Sequence, residues 1–305
     1  MLKFLIRRIL LAISVAVCVS ILTFGLLHIA TDPAIAIAGE DASAEEIQSL
    51  RIAYGFDRPL YVQYADWLSK AVRGDLGVSP YFGLEVRSLI ADRLPITIKL
   101  GSLSIIFALA LGIPLGVIAA IYPNTLIDRL SLSVAVFGQA IPNFWFGLLL
   151  IYVMSVQLRL LPASGTEGIQ SFIMPMIVLG TNAVPAIMRL TRTGMLEVLG
   201  SDYIRTAWAK GMLPRQVYVK HALRNAVVPV VSVAAIQAAH MLGGSIVVEA
   251  VFALHGLGSL AYESILRSDI PTMQAIIILF SSFFIIFSAL SDIANAYIDP
   301  RIRIL

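Results

Sequence analysis

Long apolar runs alternate with shorter polar segments along this chain. Six runs are free or nearly free of Lys, Arg, Asp and Glu, namely 9–30, 100–122, 130–158, 172–188, 226–248 and 272–291. About 20 helical residues cross the ~30 Å hydrocarbon core of a bilayer. Backbone in lipid must satisfy its own hydrogen bonds, and continuous runs of this length do so as helices rather than as alternating strands. The pattern therefore predicts an all-α integral membrane protein with six transmembrane helices in one domain, 1–305.

Composition supports lipid as the solvent for most of the chain. Hydrophobic residues make up 58% of the sequence and charged residues only 13%, whereas soluble domains carry about 25% charged residues. The single cysteine, Cys18, lies inside the first run and permits no intrachain disulfide. We interpret it as a small buried hydrophobic residue.

The N-terminal run is expected to be a retained anchor. Its length exceeds the ~7–15 residues of a signal-peptide core, although basic residues precede it. Lys and Arg outside the long segment 31–99 fall mostly on one side of the predicted spans, which the positive-inside rule assigns to the cytoplasm. This predicts cytoplasmic termini, an external loop at 31–99 and a cytoplasmic loop at 189–225.

The external loop carries local helix signals. Ser43 followed by Glu46 predicts a helix start, 60–72 predicts an amphipathic helix, and 86–94 predicts a short helix that ends before Pro95. The loop is too short for a separate enzyme domain. We interpret it as a cap over the outer mouth.

The sequence lacks the motifs of common catalytic sites. It has no Gly-Lys dipeptide, so it contains no phosphate loop, and it has neither His-Glu-x-x-His nor a second cysteine for zinc. The spans contain few ionisable residues, which argues against catalysis and against a carrier coupled through buried carboxylates. The prediction is a non-catalytic membrane subunit with no metal site.

Polar residues within the spans are candidates for a solute path. They are Gln139, Asn143, Asn182, Gln237, His240 and, at the outer end of the fifth span, Glu249. Two alternatives stay open: they line a path, or they make interhelical hydrogen bonds of ~0.6 kcal/mol each. Glu249 is either an interfacial charge or part of a gate. Gln139 and Asn143, four residues apart beside Pro142, are expected on one helical face. Gly112 and Gly116 predict close helix packing.

The loop 189–225 is rich in basic residues and has its own helix signals. Asp202 is expected to cap a helix over 203–210, which Gly211 and Pro214 end, and a second helix is expected over 215–225. One interpretation is an ordinary positive-inside loop at anionic headgroups. The other interpretation is a docking element. The presence of two helices separated by a glycine turn favours this second interpretation.

A family resemblance extends over nearly the whole chain. Tyr203-Ile-Arg-Thr-Ala-Trp-Ala-Lys-Gly211, followed by His221-Ala-Leu-Arg-Asn-Ala-Val-Val-Pro229, resembles the EAA-type loop of ABC importer permeases of the dipeptide/oligopeptide group. Other matching segments are Arg58-Pro-Leu-Tyr-Val-Gln-Tyr64, Gly112-Ile-Pro-Leu-Gly116, Ile141-Pro-Asn-Phe-Trp145, Arg189-Leu-Thr-Arg192 and Asp299-Pro-Arg301. Arg205 and Thr206 depart from the general Glu-Ala, and His255 stands where the family has proline.

The resemblance implies a type I ABC importer permease in a bacterial inner membrane. It implies a second homologous permease, two ABC ATPase subunits that bind ATP and Mg, and an extracytoplasmic solute-binding protein as partners. Di- or oligopeptides are the expected cargo, with nickel chelates, glutathione and opine-like conjugates as alternatives. The residues implied in ATPase coupling are Asp202, Tyr203, Arg205, Thr206, Ala207, Lys210 and Gly211. The rival class is an ATP-independent channel or secondary carrier.

Overall fold

The computed structural model describes residues 2–30, 32–39 and 42–298, and this part of the chain is helical without strands. The Asp299-Pro-Arg301 motif lies outside it. In chain order the helices are α1 Leu2–Ala30, α2 Pro33–Ala38, α3 Ala44–Tyr54, α4 Leu60–Val72, α5 Val86–Ile121, α6 Leu126–Ala140, α7 Asn143–Leu150, the π-helix π1 Ile151–Gln157, α8 Gln170–Thr181, α9 Val184–Leu199, α10 Asp202–Ala209, the π-helix π2 Gln216–Leu223, α11 Arg224–Ala226, α12 Val228–Gly243, α13 Ile246–Val251, α14 Leu257–Leu266 and α15 Ile270–Ile298.

Three single helices in the described chain are long and apolar enough to cross a membrane. They lie in α1, α5 and α15, and three bent helix pairs raise the number of candidate spans to six if each pair counts as one. The pairs bend by 100° between α6 and α7–π1, by 57° between α8 and α9, and by 56° between π2–α11 and α12. Large apolar side chains are exposed on α1, α6 and α15, as expected of surfaces that face lipid, whereas those of α8 and α9 are turned into the protein.

The predicted third span is two helices rather than one. Ile141 adopts an extended conformation and Pro142 precedes the first turn of α7. Proline lacks the N–H that would continue α6, and it disfavours a helical conformation in the residue before it. The prediction that Gln139 and Asn143 share one helical face is therefore wrong, because they lie on different helices.

The helix predicted to end before Pro95 instead continues. α5 runs from Val86 to Ile121 through both Pro95 and Pro114. A proline removes one backbone hydrogen bond, but long membrane helices tolerate it where the freed groups find other partners.

The predictions for the loop at Ser43 and at 60–72 are confirmed. Ser43 Oγ accepts a hydrogen bond from Glu46 N at 3.2 Å, and α4 has the predicted bounds.

Two compact units make up the chain. One contains Ile98–Leu254 with the segment from Ile286, and the other contains Leu2–Thr97 with His255–Ile285. In the second unit, Ser20 Oγ and Tyr64 Oη form a hydrogen bond of 2.8 Å between α1 and α4. Thr97 Oγ1 accepts from Leu257 N at 2.8 Å, which fixes the start of α14.

Glycines let α5 and α9 approach closely in the first unit. A Cβ on Gly116 would lie 2.6 Å from the carbonyl oxygen of Met188 and 2.6 Å from Thr191 Cβ. A Cβ on Gly112 would lie 2.8 Å from Ile187 Cγ2. The predicted close packing at this glycine pair is confirmed, because any side chain larger than hydrogen would push the two helices apart.

Gly116→Ala is expected to destabilise the protein by about 1–3 kcal/mol, because the added methyl collides with backbone that cannot rotate away. The measurement is thermal unfolding in detergent. Gly25→Ala in α1 is the matched control, since a Cβ there meets nothing within 4 Å. Equal unfolding temperatures for the two variants would contradict the close approach of α5 and α9.

Candidate coupling surface and polar path

The short helix α10 begins one residue earlier than predicted. Ser201 has the extended N-cap conformation, with φ −78° and ψ 153°, and Asp202 is the first residue of α10. The prediction of Asp202 as the N-cap is therefore wrong. Asp202 instead places its carboxylate in the first turn, where negative charge interacts favourably with the helix dipole.

Gly211 ends this segment in a conformation that favours glycine. Its φ is +70°, in the left-handed region, and its N–H donates to the carbonyl oxygen of Trp208 at 2.9 Å. A Cβ at Gly211 would meet nothing within 4 Å. The requirement for glycine here comes from backbone conformation and not from lack of space inside the chain.

α10 has one buried face and one exposed face. Ile204 is 1% exposed and Ala207 is also buried. The exposed residues are Asp202, Tyr203, Arg205, Thr206, Trp208, Ala209 and Lys210. Of the residues that the family resemblance implicates in coupling, Ala207 therefore packs within this chain, and the others lie on a surface that a partner can reach.

The buried face of α10 joins a small apolar core. Ile204 and Ala207 cluster with Ala120 near the end of α5 and Met195 in α9. The remaining buried members are Val217, Ala222 and Ala226, in π2 and α11. Most of these side chains are small, so the backbones lie close together. α10 therefore shares one core with α5, α9 and the segment that leads into α12.

Aromatic and polar contacts hold the exposed side of α10 to the next segment. Trp208 and Tyr218 form an edge-to-face pair with ring centroids 5.8 Å apart. Asn225 Nδ2 donates to Tyr203 Oη at 2.7 Å. These contacts explain the bulky residue at position 208, which packs against the aromatic ring from π2.

A partly buried ion pair joins the start of α6 to α9. Arg192 Nε donates to Asp128 Oδ1 at 2.8 Å, and Arg192 Nη2 donates to Asp128 Oδ2 at 2.7 Å. Asn124 N also donates to Asp128 Oδ2, at 2.9 Å. Sequence reasoning missed this pair. The available signal was that Asp128 is the only acidic residue between Asp92 and Glu167.

Two of the polar path candidates meet. Asn182 Nδ2, after α8, donates to Asn143 Oδ1, at the start of α7, at 2.9 Å. Both side chains are half-buried. The contact lies where two of the bent helix pairs change direction. Asn182 Nδ2 also donates to the carbonyl oxygen of Val178 at 3.4 Å, so the two amides keep three oxygen lone pairs and two N–H groups for other partners.

The other candidates occupy different environments. Gln139 is exposed on α6, and Gln237 is half-buried on α12. His240 is exposed, and its Nδ1 lies 3.0 Å from the carbonyl oxygen of Ile236 in the same helix. The structure therefore groups Asn143 with Asn182 and does not bring the remaining residues into that contact.

Glu249 is enclosed by the chain. Its side chain is 0% exposed, and Ser245 Oγ donates to Glu249 Oε1 at 2.8 Å. Glu249 N and the carbonyl oxygen of Glu249 also take part in backbone hydrogen bonds with Ser245 and Leu254. Such burial argues against the interpretation of Glu249 as an exposed interfacial charge.

The candidate spans and the bent helix pairs describe a multi-pass membrane protein whose short helix α10 exposes one face. Two family models match nearly the whole chain. One, "Binding-protein-dependent transport system inner membrane component", covers residues 112–304. The other describes the N-terminal part of the same membrane component and covers residues 1–101. The chain belongs to this family and is a permease subunit of a binding-protein-dependent ABC importer.

Curated relatives match at full length. The glutathione transport system permease protein GsiC of Escherichia coli strain K12 is 42% identical over 304 residues, which is 99% of each chain. The GsiC protein of Shigella dysenteriae serotype 1 has the same identity and coverage. The predicted family is confirmed by these matches.

Solved structures share the fold. The MetNI methionine ABC transporter in an inward-facing conformation gives a TM-score of 0.58 at 21% identity, covering 69% of this chain and 96% of that chain. An amino acid ABC transporter with histidines gives 0.52 at 18% identity, covering 69% and 94%. The predicted all-α type I permease fold is confirmed by these likenesses.

Asp128→Asn is expected to lower stability by about 1–3 kcal/mol, because it leaves the Arg192 guanidinium facing a neutral amide in a partly buried site. The measurement is again thermal unfolding in detergent. Asp202→Asn is the matched control, because its ion pair with Arg205 is exposed and such pairs contribute little. Equal losses in the two variants would contradict a structural role for the Asp128–Arg192 pair.

Proposed function

We propose that this chain and a second, homologous permease form the membrane path of an ATP-driven importer for short peptides, with glutathione as the first candidate. The full-length 42% identity to glutathione permeases supports this substrate class. Glutathione is itself a small peptide, so the candidate falls within the di- and oligopeptide expectation. Delivery by an extracytoplasmic binding protein follows from the same family membership.

The two-faced geometry of α10 is the observation that carries the ATP-driven part of this proposal. Two ABC ATPase subunits, which bind ATP and Mg, dock against the exposed side chains of Tyr203, Arg205 and Lys210. Closure of the ATPases on ATP moves α10. Because Ile204 is locked into the core with Ala120 and Met195, that movement reaches α5 and α9 as a rigid-body displacement and biases the path between inward-open and outward-open states.

The path itself is assigned to the polar residues of the bent spans. Asn143 and Asn182 supply paired amides where two helix pairs bend, and amides bind the backbone of a peptide without demanding a fixed charge. Gln139, Gln237 and His240 are secondary candidates. Glu249, buried beside Ser245, acts on the conformation of the outer gate rather than on the solute.

The proposed topology places the chain in a bacterial inner membrane with both termini in the cytoplasm. α10 and π2 then lie on the cytoplasmic side, where the ATPases are. The segment 31–99 lies outside, where a binding protein delivers its solute. The positive-inside distribution of Lys and Arg supports this orientation.

Reconstituted complex purified through a tag on this chain is expected to take up labelled glutathione or trialanine only when ATP and the binding protein are present. Arg205→Glu is expected to abolish co-purification of the ATPases, because it replaces an exposed cation of the docking surface by an anion. Lys220→Glu, at an exposed basic residue of π2, is the matched control and should retain the ATPases.

Two results would contradict the ATP-driven part of the proposal, and a third would contradict only its substrate class. Uptake without ATP by this chain alone would favour a channel or secondary carrier. ATPase recovery that is equal for Arg205→Glu and Lys220→Glu would remove α10 from the docking surface. ATP-dependent uptake of another solute, with neither peptide transported, would replace the substrate class and leave the machinery intact.

A further inference from the structure

The helix α6 stands apart from the small apolar core beneath α10. Within the described chain, the residues of that core come from α5, α9, α10, the turn after α10, π2 and α11, and none comes from α6. α6 nevertheless leads through the 100° bend to Asn143 at the start of α7, where the proposed path lies. If α10 is to open and close that path, a contact must join the core to α6.

α6 packs on the rest of the chain along one narrow stripe. Spacings of three, four and three residues place the members of this stripe on one helical face. They are Asp128, Ser131, Ala135 and Gly138. The other residues of α6 are exposed. Because three of the four side chains are small, no large buried side chain of α6 extends between the neighbouring helices.

The two ends of this stripe contact different helices. Near the bend, a Cβ on Gly138 would lie 2.6 Å from Thr181 Cβ, so α6 packs closely on the end of α8. At the opposite end, Asp128 pairs with Arg192 of α9. Van der Waals contact has no strong directional preference, whereas the ion pair joins particular atoms. The pair therefore holds α6 to α9 in one arrangement.

The geometry of the ion pair is specific. Each oxygen of the Asp128 carboxylate accepts one hydrogen bond from Arg192, and Asn124 N donates a further one. Two parallel hydrogen bonds between a guanidinium and a carboxylate fix orientation as well as distance. The Asp128 side chain is 11% exposed and that of Arg192 is 28% exposed, so salt and water screen the pair less than they screen a surface pair.

Arg192 also lies close to the core on its own helix. Met195, three residues later in α9, is buried in the core beneath α10. Three residues span about 4.5 Å along an α-helix, whose backbone hydrogen bonds keep that spacing fixed. One short segment of α9 therefore contacts the core through Met195 and α6 through Arg192.

A role limited to stability does not require charged residues here. Replacing a buried ion pair by well-packed apolar residues is often neutral or stabilising. The charged pair adds a fixed register between α6 and α9, which the small side chains of Ser131 and Ala135 do not provide.

We propose that Asp128 and Arg192 are positioning residues of the transport cycle, which make α6 follow α9 when α10 moves. Arg192 carries the displacement of α9 to Asp128, and α6 carries it through the bend to Asn143. This inference rests on the proposed function, because it takes ATP-driven movement of α10 as its starting point.

The test measures the labelled glutathione or trialanine taken up per ATP hydrolysed by the reconstituted importer. Asp128→Asn is expected to lower this ratio about tenfold while ATP hydrolysis persists, because it removes the charge-assisted hydrogen bonds between α6 and α9. Arg192→Lys keeps the positive charge but loses the two-point geometry, and it is expected to lower the ratio about threefold. The double variant should be no worse than Asp128→Asn alone, because both changes act through one contact.

Ser79→Ala is the control for lost stability. Ser79 Oγ donates to Asp269 Oδ2, and both side chains are buried. Both residues belong to the compact unit that does not contain α6 and α9. Removal of this hydrogen bond should lower the unfolding temperature, as Asp128→Asn does, but should keep the parental ratio of uptake to ATP hydrolysis.

The outcomes separate this inference from the proposed function. Parental ratios in both Asp128→Asn and Arg192→Lys would overturn the inference and leave ATP-driven import standing. An equal fall of the ratio in Ser79→Ala would also overturn it, because lost stability would then explain the effect. If Asp128→Asn does not assemble, the ratio of Arg192→Lys decides. A parental importer without ATP-dependent uptake would contradict the proposed function and this inference with it.

Discussion

Close backbone approach of α5, α9 and α11 is the constraint on which the coupling surface depends. Gly116 allows α5 to contact the Met188 carbonyl, and Gly194 allows α9 to approach the Ala226 carbonyl, where a Cβ would lie 2.7 Å from the oxygen. In lipid there is little hydrophobic gain from bringing two helices together, so tight packing between small residues provides the attraction. This packing creates the small core that receives Ile204.

The same closeness supports the proposal that the short helix α10 acts on longer helices. α10 is only eight residues long and would be marginal in isolation. Its stability comes from the buried face, from the Trp208–Tyr218 pair and from Gly211, which turns the chain back toward π2. Because the core beneath it contains residues of α5, α9, π2 and α11, α10 cannot move independently of them.

Polar interactions between side chains then hold the bent helices to one another at specific positions. The Asp128–Arg192 pair ties the first turn of α6 to α9, and Asn182 ties the turn after α8 to the first turn of α7. The first contact joins a helix before one bend to a helix beyond the next, and the second joins the two bends themselves. A two-state transporter needs such discrete contacts, because packed helices shift between alternative arrangements rather than deforming continuously.

The sequence was sufficient for the helical class, the glycine contact and the helix at 60–72, because hydrophobic run length and local capping are properties of neighbouring residues. The sequence alone did not predict the break between two helices at Ile141-Pro142 or the continuation of α5 through Pro95. Both positions carry proline, and whether a helix bends or continues there depends on tertiary contacts. The partnership of Asp128 with Arg192, 64 residues apart, also depends on how α6 and α9 pack.

The family assignment rests on motifs spread along the chain, whereas the role of each coupling residue depends on which face of α10 it occupies. Ala207 shows the difference, since its place in the motif suggested the docking surface and its burial assigns it to the core. Helical periodicity separates two faces in a helix this short, but it does not say which face meets the rest of the chain.

The most direct test of the account is the ratio of substrate transported to ATP hydrolysed by the assembled importer carrying Ile204→Ala. The account predicts that ATP hydrolysis persists while uptake falls, because the truncated side chain no longer ties α10 to α5 and α9. Ile9→Ala, at an exposed position of α1, should keep the parental ratio. An unchanged ratio in folded Ile204→Ala importer would contradict the claim that the buried face of α10 carries the coupling.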